Sequence, residues 1–246
     1  MVTPSQPPAQ ARPPGDGGLA GSLIDLAGTV DDDSTVGARL ATITQLCADL
    51  LEPVAFASVT RQDEGKYSTV AVSSELALAV DEAQYADNAG PCLDALDGGA
   101  PVSVPRIDAT MIWPEFREAA FRLGLRSSLS IPLFAGRGVP MAALNLYGHD
   151  PATMAVLSAA VLAAYDEAPE GRSPGPRDEG SSGARELISG IVGAFAVRAT
   201  IQQAIGMIIA ARRTNADLAY ALLRSRAAEA TDSLLGAAAT VLADNR

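Results

Sequence analysis

The stretch that decides the fold is "SSLSIPLFAGRGVPMAALNLYG", residues 127–148. Its two apolar runs, 127–134 and 138–148, each have the length of a β-strand. The glycine-rich segment "AGRG" (135–138) joins them and is typical of a tight turn. Strands joined by such a turn pair antiparallel. The stretch therefore predicts the strongest hairpin in the chain.

The segments around this hairpin predict a mixed domain. "VAFASVTRQ" (54–62) and "YSTVAVSS" (67–74) predict a second hairpin through "DEGK", and "PVSVP" (101–105) predicts a short strand. Helical patterns cover the ranges 34–51, 75–85, 90–99, 113–124 and 151–165. An order with several hairpins favours an α+β fold on an antiparallel sheet over a doubly wound parallel sheet.

Length and charge indicate two regions. A chain of 246 residues with 48% hydrophobic content suits two small domains or one large one, and two is the better expectation. Residues 1–183 hold 11 basic and 24 acidic side chains (11 − 24 = −13), whereas residues 184–246 hold 7 and 5 (7 − 5 = +2). An acidic body with a slightly basic end is the weak asymmetry expected where that end meets a polyanion.

Two segments are poor in apolar residues. Residues 1–33 begin with a Pro/Gly/Gln-rich run without an apolar signal region, which predicts a disordered N-terminal tail. Residues 167–183 are dense in Pro, Gly, Ser and charge and predict a flexible linker. The sequence shows no run of about 18 apolar residues, so we expect no membrane association and a cytoplasmic protein.

The C-terminal region, residues 184–246, predicts a three-helix bundle. A first helix of about 30 residues is followed by two shorter ones, with Asn215 and either Thr231 or Asp232 as caps. The long helix is expected to project as a coiled-coil arm and to form a homodimer through residues 185–205. The expected seam consists of Leu187, Ile191, Ala194, Ile201, Ile205 and Ile208.

Motifs for catalysis are weak. His149, the only histidine, lies in a turn, and the sequence places neither Cys47 nor Cys92 beside it. Phosphate-binding glycine loops are absent from the sequence. Cys92 in "GPCLDAL" is either a reactive thiol or, as we favour, a small buried residue. We therefore expect no enzyme activity, no metal and no cofactor.

The set "GPCLDAL", "VSVP", "WPEFREAAFRLGLRSSLSIPLF" and "MAALNLYG" resembles the GAF domains of actinobacterial regulators, over roughly residues 35–165. The resemblance implies a sensor domain, placed at 34–166, with about six antiparallel strands flanked by helices and a pocket that binds a small molecule in some members. We expect the pocket to lie between the strands "VAFASVT" and "AALNLYG" and the helices of 75–99, and to be mostly apolar.

"IQQAIGMIIAARRTNADLAYALLRSRA" (201–227) resembles the ANTAR domain, a three-helix RNA-binding module of transcription antitermination regulators, through "QAIGM", "ARR" and "AYALLR". The resemblance implies that the GAF domain controls binding of structured RNA, a pair of hairpins. After Arg226 the family's polar and basic positions are replaced, for example by Ala227 and Asp232. A bundle that serves only dimerisation or protein–protein interaction is therefore the alternative.

The candidate RNA-binding residues are Arg212, Arg213, Tyr220 and Arg224. Arginines suit phosphates and tyrosine can stack on an unpaired base. Each has an ordinary alternative, since arginines at a helix C-terminus also offset the helix dipole and Tyr220 can simply pack in the bundle. Arg226 lies about 200° around the helix from Arg224, so we expect only one of the two, Arg224, to share a face with Arg212.

Overall fold

The computed structural model describes residues 17–30, 34–167 and 181–244. The helices and strands along the chain are α1 (Leu19–Ala27), α2 (Val36–Leu50), β1 (Phe56–Asp63), β2 (Lys66–Val72), α3 (Glu75–Asp87), α4 (Pro91–Gly98), β3 (Val102–Val104), α5 (Pro114–Arg122), β4 (Ser127–Ala135), β5 (Val139–Gly148), α6 (Pro151–Glu167), α7 (Ser182–Arg212), α8 (Ala216–Ala230) and α9 (Leu234–Ala243). A short 3-10 helix, Ile107–Ala109, precedes α5.

The sheet has the order β2-β1-β5-β4-β3, and neighbouring strands pair antiparallel. The predicted hairpin is confirmed, since β4 and β5 pair from Ser127 opposite Gly148 to Ala135 opposite Val139. The α+β class with a GAF-like antiparallel sheet is confirmed too. The described residues form five strands in this sheet, whereas the resemblance implied about six.

Helices cover both faces of the sheet. On one face, Leu129, Leu144 and their neighbours pack under α1, α2, α6 and α7 in the main apolar core. The other face lies under α3 and α4, with α5 beside α3. Because both faces are covered, every residue of β4 is buried. Its sequence accordingly lacks the alternation with charged residues that a strand with one exposed face shows.

The N-terminal tail prediction is wrong for residues 19–27, which form α1. Leu19, Leu23 and Leu26 follow helical spacing and are buried in the main core, chiefly against α7. The backbone N–H of Leu19 donates to Oε2 of Glu186 at 2.7 Å. This apolar stripe is visible in the sequence directly after the Pro/Gly-rich run. Residues 1–16 and 31–33 lie outside the described part.

The long helix α7 does not project as an arm but packs along its length against α1, α2, α6, α8, α9 and β4. The cause is α1, which supplies an apolar partner within the same chain. The predicted seam is largely buried within the chain: Leu187 (0% exposed) and Ile191 (4%) pack in the main core with α1, and Ile201 (0%), Ile205 (5%) and Ile208 (5%) pack in the core of the bundle with α8 and α9. The homodimer through residues 185–205 stays a prediction, and it now requires α1 to move.

By length and apolar composition alone, α7 would be able to cross a membrane. Its apolar face, however, is used for packing within the chain, as in the core helix of a globular protein. The predicted linker lies mostly outside the described residues. In the described part, α7 begins after Ser181, whose side chain accepts from the N–H of Ala184.

The end of the chain forms the predicted three-helix bundle from the second half of α7, α8 and α9. Asn215 is the N-cap of α8, as predicted, and its side chain accepts from the N–H of Leu218 at 2.9 Å. The N-cap of α9 is Ser233 and not Thr231 or Asp232. Thr231 instead ends α8 in the left-handed conformation.

Candidate functional site

A cluster of polar side chains lies on the sheet face that α3 and α4 cover. The strands supply Ser58, Thr60, Thr69, Asn145 and Tyr147, and α3 supplies Asp81, Gln84 and Tyr85. Alternate residues of a strand point to opposite faces, so the polar positions of β1 and β5 converge here while their apolar neighbours face the main core. We call these eight residues the polar cluster.

Asp81 is the centre of the polar cluster. It is fully buried, and its Oδ1 accepts from the hydroxyl of Tyr147 at 2.6 Å and from Nδ2 of Asn145 at 3.3 Å. Its Oδ2 accepts from the hydroxyl of Thr69 at 2.9 Å. These donors compensate part of the cost of removing a carboxylate from water.

Burial nevertheless raises the pKa of Asp81 to about 6, because the hydrogen bonds from Tyr147, Ser58, Thr69 and Asn145 lower it by less than desolvation raises it. Burial beside this carboxyl also raises the pKa of Tyr147 well above its ordinary value. Tyr147 is therefore a hydrogen-bond donor at neutral pH. The cluster can change its charge through Asp81 near physiological pH.

Further hydrogen bonds extend the cluster in two directions. The Tyr85 hydroxyl lies 2.8 Å from the hydroxyl of Thr60 and 2.7 Å from that of Thr69. Gln84 donates to the Tyr147 hydroxyl at 3.3 Å, and its Oε1 accepts from the N–H of Cys92 at 3.1 Å. Three buried atoms on the same sheet face lack a hydrogen-bond partner among the described residues: Oδ1 of Asn145 and the hydroxyls of Ser128 and Ser130.

The expectation of a mostly apolar pocket is therefore wrong. The strands and helices named for it do surround this region, but they fill it with hydroxyl, amide and carboxyl groups. The sequence carried a signal, because polar residues alternate with apolar ones at Ser58 and Thr60, at Ser128 and Ser130, and at Asn145 and Tyr147. Sequence reasoning missed Asp81 because nothing local distinguishes it from the exposed acids of α3.

The family assignment agrees with this architecture. The family model described as the GAF domain matches residues 34–165, which is more than half of the 246-residue chain. The chain belongs to the GAF domain family. The match covers the sheet, the helices α2 to α6 and the whole polar cluster. A search of curated proteins found no match to this chain.

Solved structures similar to this GAF protein include three distant ones. A type II free methionine-R-sulfoxide reductase from Thermoplasma acidophilum shares 12% identity, with a TM-score of 0.38, over 70% of this chain and 96% of that one. The GAF domain of A. Aeolicus nlh2 in an inactive state shares 10%, with a TM-score of 0.43, over 72% and 93%. A domain of a putative two-component sensor histidine kinase from Sinorhizobium meliloti 1021 shares 15%, with a TM-score of 0.40, over 72% and 97%.

The cysteines of the GAF domain are not placed for reaction. Cys92 and Cys47 are both completely buried, and burial raises the pKa of each thiol far above its ordinary value, so neither forms the reactive thiolate. They pack in separate clusters on opposite faces of the sheet. His149 has an exposed ring whose Nδ1 lies 3.0 Å from the carbonyl oxygen of Gly124. Within residues 17–30, 34–167 and 181–244, His, Cys, Asp and Glu side chains form no group that could hold a metal.

The predicted RNA residues separate into two places beyond the GAF domain. Arg212 lines a groove of about 380 Å³ between α7, α8 and α9, together with Arg226 and Glu229. The apolar side chains of the groove are Met207, Ile208, Ala211, Leu222 and Val241. Arg226, and not Arg224, thus shares a face with Arg212, because the crossing of α7 and α8 decides which side of α8 faces the end of α7.

Tyr220 lies beside Arg137 of the turn between β4 and β5, and Arg224 follows one helical turn later on α8. Tyr220 is only 3% exposed and belongs to the core of the bundle. The guanidinium carbons of Arg137 and Arg224 lie 5.2 and 5.8 Å from its ring centroid. Arg213 is exposed and ends α7 in the left-handed conformation, at φ 51°. Of the four predicted residues, the structure presents Arg212 and Arg213 to solvent.

Proposed function

We propose that this GAF domain protein is a regulator of the transcription antitermination type, whose C-terminal bundle binds structured RNA. The GAF domain itself suggests a sensory or regulatory role. The observation that carries the RNA proposal is the meeting of Arg212 and Arg226 at one open groove, with exposed Arg213 at the end of the same helix. Guanidinium groups bind phosphates through paired N–H donors.

Charge favours this surface over the rest of the molecule. Residues 184–246 carry +2, whereas residues 1–183 carry −13, so a polyanion is repelled by the GAF half and attracted to the bundle. Among the described residues that line the groove, Glu229 is the one carboxylate, and it accepts a hydrogen bond from the hydroxyl of Ser225 at 2.9 Å. The apolar side chains beside the arginines provide a surface on which an unpaired base can pack.

The polar cluster is the proposed input of the regulator. Three buried polar atoms on this sheet face, Oδ1 of Asn145 and the hydroxyls of Ser128 and Ser130, lack a partner among the described residues and would be satisfied by a small polar molecule that enters the domain proposed as the sensor. The proposed RNA partner is a pair of hairpins. The charge distribution of the chain favours the bundle as the surface that binds it.

The test is filter binding of the purified protein to a two-hairpin RNA across a range of salt concentrations. The double variant Arg212→Ala with Arg226→Ala should weaken binding to all RNA sequences and reduce the slope of log affinity against log salt by about 0.7 to 0.9 per lost contact. Arg122→Ala is the matched control, because Arg122 is an exposed arginine of α5 paired with Glu118.

Absence of wild-type binding at low salt would reject the RNA proposal. The apolar side of the groove, with exposed Leu218 and Leu222 nearby on α8, would then favour docking of a protein partner. An effect per lost charge that is the same in the groove variant, which loses two charges, and in Arg122→Ala, which loses one, would also reject it, since binding would then reflect net charge alone.

A further inference from the structure

The turn between β4 and β5 reaches out of the GAF sheet and contacts the C-terminal bundle. Arg137, at its tip, forms an ion pair with Asp217 of α8, with Nη1 3.1 Å from Oδ1. The same guanidinium lies over the ring of Tyr220, 5.2 Å from guanidinium carbon to ring centroid. The backbone carbonyl of Arg137 accepts from the side chain of Gln202 in α7. One turn residue thus contacts two of the three helices of the bundle, α7 and α8.

Gly138 and Arg198 allow the turn to approach α7 closely. Gly138 has a positive φ of 77°, and a Cβ there would lie 2.5 Å from Nε2 of Gln202 and 3.2 Å from Cγ of Arg198. Arg198 in turn lies over the ring of Phe134 at the end of β4, 4.1 Å from guanidinium carbon to ring centroid. The sequence "AGRG" therefore serves more than a hairpin turn, because its glycine admits α7 at contact distance.

We propose that the β4–β5 turn is a clasp that holds α8 against the GAF domain and withholds the Tyr220 and Arg224 side of α8 from RNA. This inference rests on the proposed function. Of the four predicted RNA residues only Arg212 lines the groove, and of the other three Tyr220 lies against Arg137 with Arg224 beside it. Opening the clasp would free Asp217 and uncover the side of the Tyr220 ring over which Arg137 lies, next to Arg224, while the rest of the ring stays in the core of the bundle.

The contacts of Arg137 with the bundle are weak enough to be reversible. The Arg137–Asp217 pair is exposed, with side chains 45% and 83% accessible, so it is weak and sensitive to salt. When only weak contacts stabilise one conformation, a ligand with a modestly higher affinity for the other conformation can shift the population toward it. The clasp also belongs to the hairpin that carries Asn145 and Tyr147 of the polar cluster, which places the proposed input and the clasp on one element.

The test compares wild type with Arg137→Ala, with the charge-exchanged double variant Arg137→Asp plus Asp217→Arg, and with Arg122→Ala as the control arginine. Amide hydrogen exchange of α8 is measured on the full chain without RNA. We expect several-fold faster exchange at Ala216–Tyr220 in Arg137→Ala, recovery in the exchanged pair, and wild-type exchange in Arg122→Ala. Wild-type exchange in Arg137→Ala would overturn the clasp.

RNA affinity gives a second readout, because loss of the Arg137 charge and opening of the clasp change the affinity in opposite directions. Removing a positive charge weakens polyanion binding by simple electrostatics, whereas opening the clasp strengthens it. We expect Arg137→Ala to bind the two-hairpin RNA several-fold tighter than wild type, and weaker or equal binding would overturn autoinhibition. If no variant binds RNA, the proposed function fails by itself. Exchange at α8 then decides the clasp, with faster exchange supporting it and unchanged exchange rejecting it.

Discussion

Gly190 of α7 lies directly against Ala20 of α1: a Cβ on Gly190 would be 2.9 Å from the Cα of Ala20 and 2.7 Å from Cδ1 of Leu23. Real Cβ atoms rarely approach backbone so closely, so α1 fits on α7 only because this position is glycine. Gly193, one turn along, meets the side chain of Ile24 in the same way. Glycine lowers helix propensity, so the presence of Gly190 and Gly193 within α7 is explained by tertiary packing.

We expect Gly190→Ala to destabilise the protein by about 1 to 3 kcal/mol, because the gain in helix propensity is smaller than the cost of displacing α1. Gly206 in the same helix is the matched control, since a Cβ there meets nothing within 4 Å. Gly206→Ala should raise stability by up to about 1 kcal/mol. Urea unfolding of both variants measures the difference, and equal shifts would contradict a tight α1–α7 contact.

The Asp81 carboxyl should make stability depend on pH. Its pKa is about 6 in the folded protein and lower, near 3.8, when unfolded. Below about pH 4 the group is neutral in both states. As pH rises toward 6 the unfolded state loses its proton first, so stability falls, by roughly 2 to 3 kcal/mol in total, and then levels off.

Asp81→Asn should remove this dependence. Between about pH 4 and pH 6, the free energy of unfolding of the wild type should therefore fall relative to that of Asp81→Asn. Tyr147→Phe should extend the fall above pH 6, because it removes the 2.6 Å hydrogen bond that favours the carboxylate. Parallel pH profiles for wild type and Asp81→Asn would show that Asp81 titrates normally.

The helix α1 should control self-association. Leu23 is 3% exposed and packs in the core that includes Leu187 and Ile191. Leu23→Glu should release α1 and uncover the apolar stripe of α7 that predicts a homodimer. Light scattering at tens of micromolar should then show a larger dimer fraction than in wild type. An unchanged dimer in both proteins would mean that association uses another face.

Tyr220 should act first as a packing residue. It is 3% exposed in the core of the bundle, so Tyr220→Ala should lower stability by about 3 kcal/mol or more. Leu218, two residues earlier and 58% exposed, is the control, and Leu218→Ala should change stability by less than about 1 kcal/mol. Thermal unfolding followed by circular dichroism distinguishes them. Similar small effects would show that Tyr220 is free to leave the core.

Local sequence determined most of the fold. Turn glycines and apolar runs of strand length predicted β4 and β5, and Asn215 predicted the N-cap of α8. Both signals depend on neighbours within a few residues, so the sequence alone contains them. The set of motifs spread over roughly residues 35–165 also indicated the GAF domain, and the family match over residues 34–165 confirms it.

Only the tertiary structure decided which surfaces meet. It placed α1 over the stripe of α7, set Arg226 rather than Arg224 beside Arg212, and turned Asp81 from one acid among many into the centre of a buried cluster. Periodicity shows that a residue lies on a given side of its own helix or strand. What covers that side is set by elements distant in the chain, and burial, pKa and contact all follow from that choice.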